Sequence, residues 1–185
     1  MMSTDFGYNA RKAGQVAAFF VMQQGKLLNI VKLVKLIYMA NREFMQLYDE
    51  PLFIDAPVSM RLGPVNIRTY EHINSGGSGW DEAISDRENH NVSLSNPSLV
   101  EEDLDELSEA DLEVLHSTWK RLGHMNQWDL VKYTHDNCPE WEDPGHSQAD
   151  IPYARIFKFL SKPNPHALER RILDIQQIDC LASGS

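Results

Sequence analysis

Helical periodicity dominates the pattern of apolar positions along this chain. Apolar residues from Val16 to Phe20 recur at helical spacing, and Gly25 ends that run. Asn29 is a suitable N-cap for a second helix, which we expect to continue to about Tyr48. Apolar positions cover most of the circumference of this second helix, so it is predicted to be central and largely buried.

Three cations, Lys32, Lys35 and Arg42, occupy the part of the second helix that apolar residues leave free. Cations interleaved with apolar residues are most simply the solvated side of an amphipathic helix. They are also the one feature that favours contact with nucleic acid, because phosphate binding rests on clustered Lys and Arg.

Turns and short extended segments follow the second helix. Pro51 stops the helix, and residues 52–54 and 58–60 are predicted to form two short strands around a turn. Gly63-Pro64-Val65 is predicted to be a second turn, because proline has a fixed φ and glycine can adopt values of φ that other residues avoid. A helix of two turns is then expected from about residue 67 to 73.

Residues 74–104 are predicted to be a flexible or hairpin insertion on the surface. The segment 75–79 has the glycine-serine composition of a hinge. Ala83-Ile84 and Val92-Ser93-Leu94 are expected to pair as a hairpin across a polar loop.

Start and stop residues delimit the helices of the second half of the chain. Ser108 and Asp111 form a variant of the capping box, and Gly123 suits a C-cap. Further boundaries are indicated at Asn126, Asn137-Cys138-Pro139, Pro152 and Asn164-Pro165. The fold class predicted from these elements is mainly α, with about six helices and a small β-hairpin element. The predicted organisation is an N-terminal tail (1–9), a domain (10–160), and a C-terminal helix and tail (161–185).

Composition places the chain among ordinary globular proteins, with 42% hydrophobic and 24% charged residues in a length of 185. Its 17 Lys and Arg against 27 Asp and Glu give a net charge of −10, which argues against nucleic acid as the main partner.

The acidic residues are concentrated in the middle of the chain. Residues 1–48 hold six basic and two acidic residues, whereas residues 49–110 hold three basic and fourteen acidic ones. This acidic segment is either a solvated surface or a face offered to a basic partner.

Motifs of known catalytic chemistry are missing from the sequence. It contains no phosphate-binding glycine loop, no nucleophile elbow and no His-Glu-x-x-His. His135, Cys138 and His146 could in principle hold a metal, but their spacing matches no established zinc site. Two cysteines do not make a disulfide framework, and no stretch reaches the length of a membrane span, so a cytoplasmic location is expected.

Several short motifs occur along the chain in an order typical of one family. They are Lys32-Leu33-Val34-Lys35-Leu36-Ile37-Tyr38, Pro51-Leu52-Phe53, Gly63-Pro64-Val65, Tyr70, Thr134-His135 and Pro139-Glu140-Trp141. The ordered set resembles the SocA-like antitoxin family, also called the Panacea domain or the phage-associated GepA type. The resemblance covers about residues 10–160.

The resemblance implies a mostly helical domain with a small β element and an antitoxin role. Such a protein neutralises a cognate toxin by direct binding, and in the type example it also delivers the toxin to a protease as an adaptor. Neither mechanism needs a catalytic residue, a cofactor or a metal, and no membrane is involved.

Candidate partner-binding residues are the aromatic and basic side chains near predicted turns, since interfaces are anchored by such residues. They are Arg61, Tyr70, Trp80, His135 and Trp141. The acidic stretch 101–113 would steer a basic toxin. Two alternatives stay open: a DNA-binding regulator that uses the basic face of the second helix, and a small metal-dependent hydrolase centred on His135, Cys138 and His146.

Overall fold

The computed structural model describes residues 6–184, and within that range the chain forms seven helices and small antiparallel sheets. Helices account for 56% of the residues and strands for 9%, which confirms the predicted mainly α class with minor β content. The helices are α1 (Ala10–Gln24), α2 (Ile30–Tyr48), α3 (Ile67–Ser75), α4 (Glu109–Leu122), α5 (Gln127–Asn137), α6 (Tyr153–Phe159) and α7 (Pro165–Ser183).

Capping side chains start the helices where the sequence indicates. Asn29 Oδ1 accepts hydrogen bonds from the backbone N–H groups of Val31 and Lys32 at the start of α2, at 2.9 and 3.3 Å. Ser108 and Asp111 form the reciprocal capping box of α4. The predicted N-caps are therefore confirmed, because each satisfies backbone donors that the first turn leaves without an intrahelical partner.

Five short strands form two antiparallel sheets within the described residues. They are β1 (Leu28–Asn29), β2 (Pro57–Met60), β3 (Gly63–Asn66), β4 (Asn91–Val92) and β5 (Ala149–Asp150). One sheet pairs β1 with β4, and the other has the order β3-β2-β5. The β2–β3 hairpin pairs Met60 with Gly63, so its turn is Arg61-Leu62.

One strand prediction and one turn prediction in this region are wrong. Residues 52–54 are not extended in a sheet, and the backbone N–H of Phe53 instead donates to the side chain of Asn41 on α2. Gly63-Pro64-Val65 is not a turn but belongs to β3. Because β3 lies at the edge of its sheet, Pro64 can occupy it although it has no backbone N–H for a further ladder bond.

The segment 74–104 is more buried than the sequence suggests. An antiparallel bridge joins Ile84 to Leu94, as the predicted pairing requires. Trp80, Ile84 and Val92 are each about 1% exposed, so the expectation that this segment stays on the surface is wrong for them. The reason is close packing on α1: a β-carbon on Gly14 would lie 3.2 Å from the Trp80 backbone. The predicted domain boundaries stay a prediction.

Helix α2 is the centre of the core, as predicted. It packs against α1, α4, α5, β3 and α6, and its apolar side chains join one large buried cluster. A second cluster, of residues from α2, α6 and α7, lies beside it. None of the helices described between residues 6 and 184 is both long and apolar enough to cross a membrane.

Candidate functional site

Lys35 of α2 lies at the contact between that helix, the β2–β3 hairpin and the end of α5. Its side chain is buried, with the residue 1% exposed, and Nζ donates a hydrogen bond to the carbonyl oxygen of Pro64 at 3.0 Å. Burial lowers the pKa of the Lys35 amine to about 7, because a charged ammonium loses its hydration away from water.

Gly63 makes this close contact possible. Its φ is +106°, a conformation that side chains with a β-carbon rarely adopt. A β-carbon at this position would lie 2.8 Å from Thr134 Oγ1 and 3.0 Å from Lys35 Nζ. We call this meeting of Lys35, Gly63, Thr134 and His135 the hairpin junction.

The predicted solvated basic face of α2 is wrong. Lys32 is 8% exposed, and its Nζ donates to the Gly123 carbonyl at 2.7 Å and to Gln24 Oε1 at 2.9 Å. The Lys32 ammonium also lies 5.1 Å from the ring centroid of Trp119, within cation–π range. The physical reason is that the end of α4 brings a carbonyl oxygen and an aromatic ring onto this side of α2. The feature that favoured nucleic-acid binding is thereby removed.

Arg42 forms a buried ion pair with Glu140. Arg42 Nε donates to Glu140 Oε1 at 2.7 Å and Nη2 donates to Oε2 at 3.2 Å, and the Glu140 side chain is 0% exposed. Tyr38 donates its hydroxyl to Glu140 Oε1 at 2.8 Å. Burial, together with the negative charge of Glu140, raises the pKa of the Tyr38 phenol. This group fixes the segment after α5 onto α2.

His135 and Trp141 form a stacked pair on the other side of the hairpin. Their ring centroids are 4.0 Å apart and the rings are 11° from parallel. Trp141 Nε1 donates to the carbonyl oxygen of Met60 at 2.8 Å, so the pair holds the end of β2. Burial lowers the pKa of His135, and the positive charge of Lys35 lowers it further.

An apolar pocket of about 150 Å³ opens beside the hairpin junction. Its walls come from α2, the β2–β3 hairpin and α3. The lining residues are Ile30, Val31, Val34, Lys35, Met60, Arg61, Leu62, Val65 and Tyr70. The structure therefore places two of the five candidate residues, Arg61 and Tyr70, at one pocket.

The five candidates separate into three groups. Arg61 and Tyr70 line the pocket, while His135 and Trp141 brace the hairpin next to it. Trp80 is 1% exposed and packs against α1, so it presents no surface to a partner and its selection is corrected. A partner-binding role for the other four stays a prediction.

Sequence reasoning missed Lys35 and Glu140 as parts of the site. The periodicity of α2 predicts a solvated Lys35, and Glu140 belongs only to the short motif Pro139-Glu140-Trp141. Both lie inside the short motifs that carry the family resemblance, and Tyr38 does as well. That shared membership is the one sequence feature that could have found them.

The acidic stretch 101–113 is partly paired within the chain. Arg11 contacts Asp105 at 2.8 Å and Glu106 at 2.9 Å, and Lys12 contacts Asp111 at 3.0 Å. Hydrogen bonds from Gln15 and Arg11 lower the pKa of Asp105. These acids therefore serve first to attach the stretch to α1, which leaves fewer of them to steer a basic partner.

The alternative metal-dependent centre of His135, Cys138 and His146 does not assemble. Cys138 is 0% exposed, its sulfur contacts Met39 Sδ at 3.6 Å, and burial raises the pKa of the thiol to about 12. His135 is stacked on Trp141, and His146 is exposed. Among residues 6–184, no three His, Cys, Asp or Glu side chains are grouped so that they could hold a metal ion.

Comparison with known protein families gives a match over more than half of the chain. The sequence profile of a family described as "Antitoxin SocA-like, Panacea domain" matches residues 33–142. No curated protein and no solved structure matches the chain. The matched range contains Lys35, Gly63, His135 and Glu140, and so includes the hairpin junction and the ion pair beside it.

Proposed function

Because the chain belongs to the SocA-like antitoxin family, whose profile covers residues 33–142, we propose that it is an antitoxin that neutralises a cognate toxin by direct protein–protein binding. The proposal places the protein in the cytoplasm, with a protein partner and without a catalytic step, a cofactor or a metal. An interface of this kind needs a rigid, partly apolar surface with a few anchoring side chains.

One observation carries the proposal. Motifs that lie far apart along the chain meet at the hairpin junction and hold the β2–β3 turn in place. Lys35 binds the Pro64 carbonyl, Trp141 binds the Met60 carbonyl, and Tyr38 binds Glu140. A turn restrained on both strands loses little conformational freedom on binding, which favours affinity. The exposed residues of this turn are Arg61 and Leu62.

The state of the chemically reactive groups supports binding and not catalysis. The Cys138 thiol is protonated at neutral pH because its pKa is about 12, and it faces the core. The Lys35 amine donates a hydrogen bond to the Pro64 carbonyl oxygen at 3.0 Å. A catalytic nucleophile needs an adjacent base and access to substrate, and Cys138, at 0% exposed, lacks that access.

Co-expression tests the proposal directly. The protein encoded in the adjacent reading frame is induced in a host, alone and together with this chain, and growth is followed. We expect growth arrest without this chain and recovery with it, together with a stable complex on size-exclusion chromatography. A start-codon mutant of this chain is the matched control. A neighbour that is harmless alone, or equally toxic with the chain present, would disprove the antitoxin role.

Delivery of the toxin to a protease is a finer part of the same proposal. It rests on the family resemblance, in which the type example acts as an adaptor. A pulse-chase measurement of toxin half-life separates the two mechanisms. An adaptor shortens the half-life when the chain is present, and deletion of the host protease restores it. Neutralisation with an unchanged half-life would indicate binding alone.

A further inference from the structure

The pocket beside the hairpin junction has the size of one large side chain. Its volume is about 150 Å³. An apolar cavity of about this volume accommodates a benzene-sized group, whereas sites for whole cofactors and drug-sized ligands span about 300–1,000 Å³. Its walls are mostly aliphatic, from Ile30, Val31, Val34, Met60, Leu62 and Val65. The occupant that fits is therefore a single aromatic or large aliphatic group.

The charge at the pocket has one sign. Among the described residues that line it, the charged types are Lys35 at the inner wall and Arg61 at the turn, and none is Asp or Glu. Lys35 Nζ donates one hydrogen bond to Pro64, and an amine nitrogen with several hydrogens retains further donors. Arg61 is exposed, and its planar guanidinium suits a bidentate contact with a carboxylate.

We propose that this pocket is the docking point for the toxin, that it receives a large apolar side chain, and that a carboxylate next to that side chain pairs with Arg61. The inference rests on the proposed antitoxin function and gives it a location and a chemistry. Interface hot spots are typically large side chains seated in well-packed pockets, and Arg is among the residues enriched in them. The occupant is thus an apolar segment with an acidic neighbour.

The pocket is preformed, which strengthens the inference. Its hairpin wall is held by the Trp141–Met60 and Lys35–Pro64 hydrogen bonds, at 2.8 and 3.0 Å. Its α2 wall belongs to the central helix of the core. A partner side chain entering such a pocket meets walls that are already ordered, so little ordering cost opposes binding.

Small probes test the chemistry of the pocket without the toxin. The full-length chain, labelled with nitrogen-15, is titrated with 3-phenylpropionate, its neutral amide, and 3-phenylpropylamine. We expect the acid to bind with a Kd of about 1–10 mM, with amide shifts around Val34, Leu62 and Tyr70. The amine should bind at least about tenfold more weakly. Equal binding of all three probes, shifts elsewhere, or no shift up to about 20 mM would overturn the inference.

Variants test the pocket against the toxin itself. Val31→Phe fills the pocket, and Arg61→Glu reverses the charge at its edge. Each should weaken binding of the adjacent-frame protein about 30-fold, the size expected for loss of a hot spot. The matched controls are Val100→Phe, at a residue 50% exposed, and Lys158→Glu, at an exposed cation. The controls should leave binding unchanged, and circular dichroism melting checks that all four variants fold.

The results separate the two proposals. If the adjacent-frame protein stays toxic in the presence of the wild-type chain, the antitoxin proposal is wrong, and the docking inference is wrong with it. If the wild-type chain neutralises the toxin, and folded Val31→Phe and Arg61→Glu variants neutralise it equally well, the docking inference alone is wrong. A loss confined to these two variants supports both.

Discussion

Two arginines of this chain bind carboxylates at similar distances but in opposite surroundings. Arg11 contacts Glu82, Asp105 and Glu106 at 2.8–2.9 Å, with side chains that are 31–64% exposed. Arg42 contacts Glu140 at 2.7 Å, with side chains that are 16% and 0% exposed. Contact distance is therefore almost the same, and the difference is access of water.

Water decides what each group contributes. Exposed ion pairs contribute little because water and salt screen them. A buried pair is costly to desolvate, but once formed it is costly to break, because removal of one partner strands the other charge. The Arg42–Glu140 pair therefore stabilises the position of the segment after α5. The Arg11 cluster contributes only weak local contacts between α1 and the acidic stretch.

The largest expected effect comes from Arg42→Met. This change leaves the Glu140 carboxylate buried without its arginine, so the free energy of unfolding should fall by about 3–5 kcal/mol. Urea denaturation followed by circular dichroism measures it. The double variant Arg42→Met, Glu140→Met should recover much of the loss, since no charge is then stranded. If Arg42→Met were as stable as wild type, the buried ion pair would not contribute this free energy of unfolding.

A smaller effect should appear in the pH dependence of stability. The pKa of Lys35 is lowered to about 7 in the folded chain, and an unfolded lysine has a pKa of about 10.4. Between these values the unfolded state binds more protons, so the free energy of unfolding rises with pH. From about pH 7.5 to 9.5 the wild type should gain about 2–3 kcal/mol relative to Lys35→Met.

The measurement is a set of urea titrations across that pH range for both proteins. Cys138 and the tyrosines are common to the two chains, so their titration cancels in the difference. Parallel stability curves would mean that Lys35 keeps its ordinary pKa in the folded state.

Tyr38→Phe removes one hydrogen bond from the buried pair while Arg42 stays in place. We expect a loss of about 2 kcal/mol, because a hydrogen bond to a charged group is worth about 1.5–3 kcal/mol. Tyr153→Phe is a matched control on a different buried tyrosine, whose hydroxyl bonds the backbone of Asp55 and not a carboxylate. A smaller loss for the control would separate the charged acceptor from hydroxyl burial in general.

The smallest effect is expected for Arg11→Met, the counterpart of Arg42→Met on the exposed cluster. Its change in stability should lie near the error of a urea titration and should shrink as salt is added, because the cluster is open to solvent. Repeating both substitutions at low and high salt sharpens the contrast. A loss for Arg11→Met equal to that for Arg42→Met would contradict the role given to burial.

Local structure was largely predictable from the sequence, because caps and apolar periodicity act over a few residues. Asn29, Ser108 and Gly123 mark helix ends through bonds within one turn. The strand β3 was missed because Gly63 and Pro64 are typical of turns. Only the packing of β3 against α2 and α5 explains their use in an edge strand.

The site was less predictable, since its contacts join distant parts of the chain. Local periodicity assigns Lys32 and Lys35 to solvent because long cations usually lie there. Their acceptors, the carbonyls of Gly123 and Pro64, belong to other elements and leave no trace in the pattern of α2. Aromatic character likewise selected both Trp80, which is core, and Trp141, which braces the hairpin.

The bonds around the hairpin junction are all long-range along the chain. They join residues separated by 29, 81, 98 and 102 positions along the chain. We expect contacts this distant to form late in folding, because the entropy of closing a long loop is lost before the contact stabilises it. A ribosome that stops before residue 140 therefore releases a chain whose turn at Arg61-Leu62 lacks its Trp141 and Glu140 supports. The surface is complete only in chains translated past that point, so its presence reports on complete synthesis of the domain.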